Sequence, residues 1–263
     1  MSSADAMTAV YPAEELIGSR PKVTGPPTSW RYAAPSMRIF VAGATGAVGT
    51  VLVPELRKSG IEVTPHVRPA TAAKHPMGKD PEALICDLGD IGKLHPAMAR
   101  CDGVACLVGT MRSRFRNGDT YESSDYLPVV ELVEAATRDA KNARHFVLLS
   151  AMGARPGGGY LGWKFKAEEA VRGSGLPWTV VRPSFFDTRG TRSAPSHGEG
   201  RVPPPVVGGA LRALGAIPAL RGMSYDLRPI PVDVLARAIR RVFQEGQPTS
   251  ATLTGRVLWP LAR

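Results

Sequence analysis

Cysteine is scarce in this chain. Only Cys86, Cys101 and Cys106 occur among 263 residues, and no two of them form a Cys-x-x-Cys pair. An odd number at these spacings argues against a disulfide framework and against a zinc site. Cys86 and Cys106 fall in strand-like runs, where a thiol behaves as a small apolar group. We therefore expect a reducing compartment, which leaves the cytoplasm, the mitochondrial matrix and the plastid open.

Long apolar runs and dense basic clusters are also missing. No stretch approaches the roughly 20 residues that a membrane-spanning helix requires, so we expect no transmembrane segment. The net charge is +10, but the basic residues are spread along the chain, and the densest short cluster lies at 112–116. No zinc-finger spacing, basic heptad helix or aromatic-basic RNA motif accompanies them. We expect no nucleic-acid partner, because an anionic cofactor or partner surface explains the charge more simply.

Residues 1–36 differ in composition from the rest of the chain. They contain five prolines, little periodicity and a mixture of acids and bases, which fits neither a signal peptide nor a typical organelle transit peptide. We predict a Pro-rich N-terminal arm, either solvated or docked on its own domain or on a partner. Residues 37–263 suffice for one sizeable core, and a hydrophobic content of 43% is ordinary for a folded domain.

Glycine, in contrast, is abundant, with 28 residues, and three of them form one motif. Residues 38–49 read RIFVAGATGAVG, an apolar strand pattern that runs into three glycines and then into a helical pattern. We expect Gly43 to allow the sharp exit from the strand, Gly46 to let the backbone approach a pyrophosphate and Gly49 to pack the helix close to the sheet. The N–H groups at the helix N-terminus then bind the phosphate charge. The predicted dinucleotide contacts of this turn are Gly43, Thr45, Gly46, Ala47, Val48 and Gly49.

Strand-like and helix-like patterns alternate from Arg38 onward. The predicted strands lie at about 38–42, 61–67, 83–86, 103–109, 144–150 and 177–182, with helices at about 46–59, 90–100, 124–141 and 160–173. Alternating segments of this length force a parallel sheet with right-handed crossovers. Pro54 inside the first helix predicts a kink or an early end. The predicted fold class is α/β, a doubly wound parallel Rossmann sheet, so residues 37–263 form an NAD(P)-binding domain.

The alternation breaks after Pro183. Residues 189–229 hold six arginines against two acids, and three consecutive prolines at 203–205 interrupt any regular element. Ligands of doubly wound folds lie beyond the carboxyl ends of the strands, so this irregular basic segment is placed to cover one. A last helix is predicted at about 232–244, with its apolar side chains on one stripe.

Tyr160 and Lys164 form a Tyr-x-x-x-Lys motif in the helix after the fifth predicted strand. Residues four apart share one face of a helix, and an ammonium beside a phenol stabilises phenolate and so lowers the tyrosine pKa. Such a phenol can pass a proton to or from a carbonyl oxygen, and the lysine can also hold ribose hydroxyls. The alternative is a surface tyrosine near a solvated lysine. The helix opens at the same sheet edge as the glycine turn, which favours catalysis.

Several segments resemble the atypical branch of the short-chain dehydrogenase/reductases, near its Tat-interacting-protein-like and NmrA-like members. The segments that carry the resemblance are GATGAVG at 43–49, CDL at 86–88, LVGTMR at 107–112, HFVLLSAMGA at 145–154, YLGWK at 160–164 and GLPWTVVRPSFF at 175–186. The resemblance covers about residues 37–245. It implies an NAD(P)-binding Rossmann domain that acts as a reductase.

The resemblance also implies roles for single residues. Tyr160 corresponds to the catalytic acid, Lys164 to its partner, and Ser150 to the hydroxyl that helps to hold the substrate carbonyl. Ser150 lies ten residues before Tyr160, closer than is usual, so a strand-end hydroxyl that caps backbone is its alternative role. The implied cofactor contacts are Asp87 and Leu88 beside the adenine, Gly109 and Thr110 under the ribose, and Pro183 at the nicotinamide pocket.

The end of the second predicted strand bears on the choice of cofactor. An NAD site places an acid about 20 residues beyond the glycines, where it accepts hydrogen bonds from the ribose 2′-hydroxyl. The chain reads TPHVR at 64–68, without an acid, and the Arg68 guanidinium could pair with a 2′-phosphate. We therefore predict NADP(H) rather than NAD(H). The alternative role of Arg68 is that of a solvated loop arginine.

Two functions from different classes follow. The first is an NADPH-dependent reductase of a small carbonyl compound, in which Tyr160 donates the proton. The second is a non-catalytic NADP(H)-binding accessory subunit of a large organellar assembly, similar to the nucleotide-binding accessory subunit of respiratory complex I, or a redox-sensing regulator. In that case residues 1–36 and the basic segment 189–229 would dock on a protein partner. The intact pair of Tyr160 and Lys164 favours the reductase.

Overall fold

The computed structural model describes residues 37–109, 115, 118–138, 144–187, 209, 211, 213 and 216–263. Its strands are β1 Arg38–Ala42, β2 Glu62–Val67, β3 Leu84–Ile85, β4 Gly103–Cys106, β5 His145–Leu149, β6 Trp178–Val181, β7 Phe186–Asp187, β8 Ile230–Pro231 and β9 Ala251–Leu253. Its α-helices are α1 Gly49–Lys58, α2 Pro69–Ala72, α3 Ile91–Met98, α4 Leu127–Thr137, α5 Gly159–Arg172, α6 Arg221–Leu227, α7 Val232–Glu245 and α8 Gly255–Leu261. Short 3-10 turns lie at Pro76–Lys79 and Pro218–Leu220, and a π-helical turn at Glu122–Tyr126 precedes α4.

Seven strands form one parallel sheet in the order β3-β2-β1-β4-β5-β6-β9. The central strand β1 pairs Ile39 with Val63 of β2 on one side and with Gly103 of β4 on the other. β7 and β8 pair separately, also in parallel. The order reverses between β1 and β4, so a crevice opens where these two strands end. The predicted doubly wound α/β fold is confirmed.

The strands divide their side chains between two hydrophobic cores. In β1, Ile39 and Val41 enter one core and Phe40 and Ala42 the other, because successive side chains of a strand point to opposite faces. Helices α1, α7 and α8 cover the first face, and α3, α4 and α5 cover the second. Both faces of the parallel sheet are thereby buried.

The helices follow the predicted apolar stripes, apart from their ends. In α7 the whole predicted stripe is buried: Val232, Leu235, Ala236, Ile239 and Phe243. α1 continues past Pro54 to Lys58, so the predicted early end is wrong. Pro54 cannot donate the helical hydrogen bond of its position. Burial of Val53 and Leu56 in the first core compensates for this loss and keeps the helix intact.

The C-terminal part of the chain is more regular than the sequence predicts. After α7, β9 joins the sheet beside β6, with Thr252 opposite Val180, and α8 packs on the first core. Three residues are too few to show the alternation of apolar and polar side chains that marks a strand, so the sequence does not predict β9. α6 also falls inside the segment 189–229, which the sequence predicts to be irregular.

The three cysteines are free and buried, in agreement with the expected absence of a disulfide. Burial raises the pKa of Cys101 to about 11 and that of Cys106 to about 12, so both thiols stay protonated at neutral pH. Cys106 lies in β4, and Cys86 follows β3. They serve as small apolar groups of the core.

Several predictions concern residues outside the described ranges. They are the arm at 1–36, most of the basic segment 189–229, the basic cluster at 112–116 apart from Phe115, and Thr110. Across the described ranges, no helix has both the length and the apolar character needed to cross a membrane.

Candidate functional site

The glycine turn lies where β1 and β4 end side by side. Gly43 leaves β1 with a φ of 80°, in the left-handed region that favours glycine. A Cβ atom there would lie 2.9 Å from the carbonyl carbon and oxygen of Leu107, the residue after β4. Gly43 thus lets the chain turn sharply and lets the ends of two neighbouring strands approach each other closely.

Gly49 begins α1 in close contact with the same turn. A Cβ atom on Gly49 would lie 2.2 Å from the Gly43 carbonyl oxygen and 2.6 Å from the Ala44 Cα atom. The sequence predicts that Gly49 lets the helix pack closely on the sheet. In the structure, the atoms nearest to Gly49 belong instead to the turn that leaves β1. Val48, whose side chain cannot accept a hydrogen bond, occupies the N-cap of α1. This described helix has no acid in its first turn, so its N-terminus suits an anionic ligand.

Arg68 follows β2 at the same edge of the sheet and is half-buried. Burial lowers the pKa of the nearby His66, and the positive charge of Arg68 lowers it further. The hydrogen bond between His66 Nε2 and the Cys86 carbonyl oxygen, at 2.9 Å, raises the pKa but does not offset these effects. The sheet order places Arg68 one strand away from the glycine turn. The position is compatible with the predicted 2′-phosphate contact.

Asp87 and Leu88 follow β3, where the resemblance places the adenine. Asp87 is exposed and Leu88 is buried in the second core. Glu131 of α4 faces this loop, since a Cβ atom on Gly89 would lie 3.3 Å from its Oε1 atom. Burial raises the pKa of Glu131, and the charges of Asp87 and Glu134 raise it further. This end of the crevice is therefore acidic.

Lys164 is buried between the carboxyl ends of β4 and β5. Its Nζ atom pairs with Asp125 Oδ1 at 3.0 Å and donates to the carbonyl oxygens of Val108 and Leu149 at 3.2 Å each. Asp125 belongs to the π-helical turn before α4 and is wholly buried. A Cβ atom on Gly109 would lie 3.5 Å from both Lys164 Nζ and Asp125 Oδ1. The ion pair therefore lies directly beneath the exposed backbone of Gly109.

Tyr160 lies one helical turn before Lys164, and Nζ is 6.0 Å from the centre of the phenol ring. Burial alone would lower the pKa of Lys164, but the negative charges of a Tyr160 phenolate and of Asp125 outweigh it, and the pKa is raised. The lysine therefore stays protonated at neutral pH beside the phenol. A cavity of about 470 Å³ adjoins Tyr160 and is lined by residues 155–158 and 160–162.

Ser150 belongs to a second buried network. Its hydroxyl donates to Glu168 Oε1 at 2.5 Å, and Glu168, on α5, is wholly buried. Both Glu168 oxygens also accept from Arg182, at 2.8 and 2.5 Å, and Arg172 adds a third guanidinium contact at 2.9 Å. The network ties the ends of β5 and β6 to α5. The Ser150 hydroxyl thus bonds a side-chain carboxylate, and a contact with substrate stays a prediction.

Each described site residue follows the carboxyl end of a strand, except those on α5. The strands and the residues that follow them are β1 with the turn 43–49, β2 with Arg68, β3 with Asp87 and Leu88, β4 with Gly109, β5 with Ser150 and β6 with Pro183. Pro183 is buried, and its carbonyl accepts the Met152 N–H at 2.9 Å. The sheet therefore brings together residues that lie up to 140 positions apart.

Two buried carboxylates of the site were not predicted from the sequence. Glu168 continues the spacing of Tyr160 and Lys164 at the next fourth residue, so helical periodicity could have found it. Asp125 lies four residues before Val129, on the apolar stripe of the following helix. A buried carboxylate requires a charged or hydrogen-bonding partner, so an acid at this position of an apolar stripe could have indicated a buried ion pair.

The site fits a dinucleotide. The turn 43–49 offers backbone N–H groups at a helix start, and Gly109 offers a surface without a Cβ atom above the Lys164 ammonium. Within the described ranges, no three His, Cys, Asp or Glu side chains cluster as a metal site.

A family model described as NAD(P)H-binding matches residues 43–203, more than half of the chain. The chain belongs to this NAD(P)H-binding family. The matched range begins at the glycine turn and includes Tyr160, Lys164 and Pro183. Membership confirms the resemblance found in the sequence. The crevice at the ends of β1 and β4 stays the predicted place of the nucleotide.

Relatives of this NAD(P)H-binding protein include plant proteins. The chain is 33% identical over 176 residues to Protein TIC 62, chloroplastic, of Arabidopsis thaliana, covering 57% of this chain and 27% of that protein. It is 25% identical over 194 residues to sanguinarine reductase of Eschscholzia californica, covering 58% and 71%. The chain thus spans about a quarter to a third of the length of the TIC 62 relatives.

The fold of this NAD(P)H-binding protein also occurs among solved structures. A putative NAD-dependent epimerase/dehydratase from Bacillus halodurans superimposes with a TM-score of 0.58 at 19% identity, covering 86% of this chain and 99% of that one. At this identity the similarity concerns the fold alone.

Proposed function

We propose that this protein is an NADPH-dependent reductase of a small carbonyl compound, with Tyr160 as the proton donor. One observation carries the proposal: Tyr160 and the buried Lys164, which pairs with Asp125 at 3.0 Å, share one face of α5 at the edge where the crevice opens. Such a cation lowers the cost of forming a phenolate, which a proton donor to a carbonyl oxygen needs. Sanguinarine reductase, a relative, supports the reaction class by its name.

A bound nicotinamide supplies the hydride in this chemistry. The chain contributes the rest: Tyr160 protonates the substrate oxygen and recovers its proton from solvent, and Lys164 stabilises the phenolate between these events. Asp125 holds the lysine in place. Arg68 supports NADPH over NADH, because its guanidinium follows β2, where an NAD site places an acid.

The proposal is tested by NADPH oxidation over a panel of small aldehydes and ketones. We expect turnover by the wild type and a fall of at least about 100-fold in kcat for Tyr160→Phe, the usual contribution of a general acid. NADPH affinity, measured by calorimetry, should change little, since the substitution removes one hydroxyl. Equal rates for wild type and Tyr160→Phe would overturn the assignment.

A second candidate is a subunit that keeps NADP(H) without turnover, or a regulator that senses it. It is favoured by the contacts of the two polar groups beside Tyr160: Lys164 Nζ has three oxygen partners in the protein, and the Ser150 hydroxyl donates to Glu168. NADPH binding by the wild type without oxidation of NADPH over the whole panel would support this candidate.

A further inference from the structure

Two residue pairs of matching spacing face each other in the site. Tyr121 and Asp125 are four residues apart at the start of the helical segment before α4, and Tyr160 and Lys164 are four apart on α5. The two charges meet at 3.0 Å, and the two phenol rings meet with their centres 5.7 Å apart and their planes at 52°. The buried ion pair therefore fixes the position of Tyr121 relative to Tyr160.

Tyr121 also extends an aromatic cluster away from Tyr160. The Phe115 ring packs edge-on against it at 5.0 Å and 88°. All three rings are half-buried, and none of them is a member of the two hydrophobic cores. Core packing thus does not account for this concentration of rings in a chain with only 6% aromatic residues. Partly exposed aromatic rings beside a reacting group are suited to stack on a planar ligand.

We propose that Tyr121 and Phe115 form the aromatic wall of the substrate site, and that the substrate is a planar aryl carbonyl compound. The inference rests on the proposed reductase function and names its substrate class. The aryl ring stacks on Tyr121, and the carbonyl oxygen meets the Tyr160 hydroxyl. A cavity of about 470 Å³, lined by residues 155–158 and 160–162, adjoins Tyr160.

The reaction balances as a two-electron reduction of an aldehyde to an alcohol. A hydride from the reduced nicotinamide forms the new C–H bond, the C=O π bond breaks, and the Tyr160 proton forms the O–H bond. NADPH is oxidised to NADP⁺, and solvent returns the proton to Tyr160. Tyr121 takes no part in these steps, so it is a specificity residue.

The test compares benzaldehyde with cyclohexanecarbaldehyde, which have similar size but differ in planarity and aromaticity. We expect the wild type to prefer benzaldehyde by about 3- to 10-fold in kcat/KM, the contribution of one aromatic stacking contact. Tyr121→Leu should abolish the preference and Tyr121→Phe should keep it. Tyr126→Leu is the matched control, because Tyr126 ends the same turn but packs on Trp163 at 5.6 Å and against the second core. It should also keep the preference.

A binding measurement separates this inference from the proposed function. Calorimetry on the protein saturated with NADP⁺ compares benzyl alcohol with cyclohexylmethanol and requires no turnover. Tighter binding of benzyl alcohol that Tyr121→Leu removes would support the aromatic wall even if no aldehyde were reduced. A wild type without preference in either measurement, or a preference that survives Tyr121→Leu, would overturn it.

Discussion

The two halves of the site are built in different ways. The half proposed to bind the nucleotide, called the nucleotide half, is the glycine turn at residues 43–49, and its defining contacts are between backbone atoms: Gly49 lies against Gly43 and Ala44, and Gly43 against Leu107. The half proposed to act in catalysis, called the catalytic half, is held by ion pairs of buried carboxylates: Asp125 with Lys164, and Glu168 with Arg182 and Arg172. Its partners lie up to 39 positions apart in sequence. Backbone sterics define the first half, whereas buried electrostatics define the second.

The difference has energetic consequences. Gly43 and Gly49 tolerate no added side chain, because a Cβ atom at either position would lie within 3 Å of backbone atoms. A buried ion pair tolerates no removal, because the remaining charge loses its partner in a medium that solvates it poorly. Each half is therefore sensitive to the opposite kind of substitution.

The largest effect is expected where one charge of the catalytic half is removed. Asp125→Leu leaves the Lys164 ammonium buried and should lower the free energy of unfolding by about 3–5 kcal/mol, measured by denaturant unfolding. The double variant Asp125→Leu/Lys164→Met should recover much of this loss. The control is Glu245→Leu in the exposed pair with Arg241, which should cost less than about 1 kcal/mol. Equal costs for both single variants would refute the comparison.

A charge reversal at the rim of the nucleotide half should act on ligand affinity. Arg68→Asp removes a charge-assisted hydrogen bond of about 1.5–3 kcal/mol, so NADPH affinity should fall at least about 10-fold while NADH affinity falls little. Calorimetry with both nucleotides measures the ratio. Arg100→Asp, an exposed arginine before β4 at the other edge of the sheet, is the control. The same loss for NADPH and NADH would remove the predicted 2′-phosphate contact.

Adding one methyl group tests the tight turn. Gly49→Ala places a Cβ atom 2.2 Å from the Gly43 carbonyl oxygen. It should lower the free energy of unfolding, measured by thermal unfolding, by about 1–3 kcal/mol, although alanine has the higher helix propensity. NADPH affinity should fall with it, since the turn must shift. Gly92→Ala in α3, whose Cβ atom would meet only Asp90 Oδ1 at 3.6 Å, should be neutral or stabilising. Normal binding by Gly49→Ala would mean that the turn adapts.

A half-buried histidine outside both halves gives the smallest effect. Burial lowers the pKa of His145 to about 4 from 6.5, and Nε2 lies 2.8 Å from the Thr179 hydroxyl. The unfolded chain binds this proton more readily, so stability is full above pH 6.5 and falls as the pH decreases toward 4. The full shift corresponds to about 3 kcal/mol, and partial exposure of the ring reduces it to an expected value of about 1 kcal/mol. Unfolding of His145→Gln from pH 7.5 to 4.5 should show a correspondingly smaller loss; an unchanged profile would contradict the assignment.

Arg144 illustrates why part of the fold is invisible in the sequence. Its buried guanidinium donates to the carbonyl oxygens of Met98, Cys101 and Ala136, and so satisfies groups at the ends of α3 and α4. Nothing in the local sequence distinguishes this arginine from a solvated one. The local sequence likewise does not mark β9 as a strand. Its three residues form one because the edge of β6 is available for pairing.

The sequence by itself determined the parallel sheet, the glycine turn at 43–49 and the shared face of Tyr160 and Lys164, because strand and helix periods and the spacing of the glycines are local features of the chain. Only the tertiary structure decided that Asp125 neutralises Lys164, that Glu168 engages Ser150 and that Tyr121 packs on Tyr160. These contacts depend on which helices the sheet places side by side, and a buried charge finds its partner only after that packing has formed.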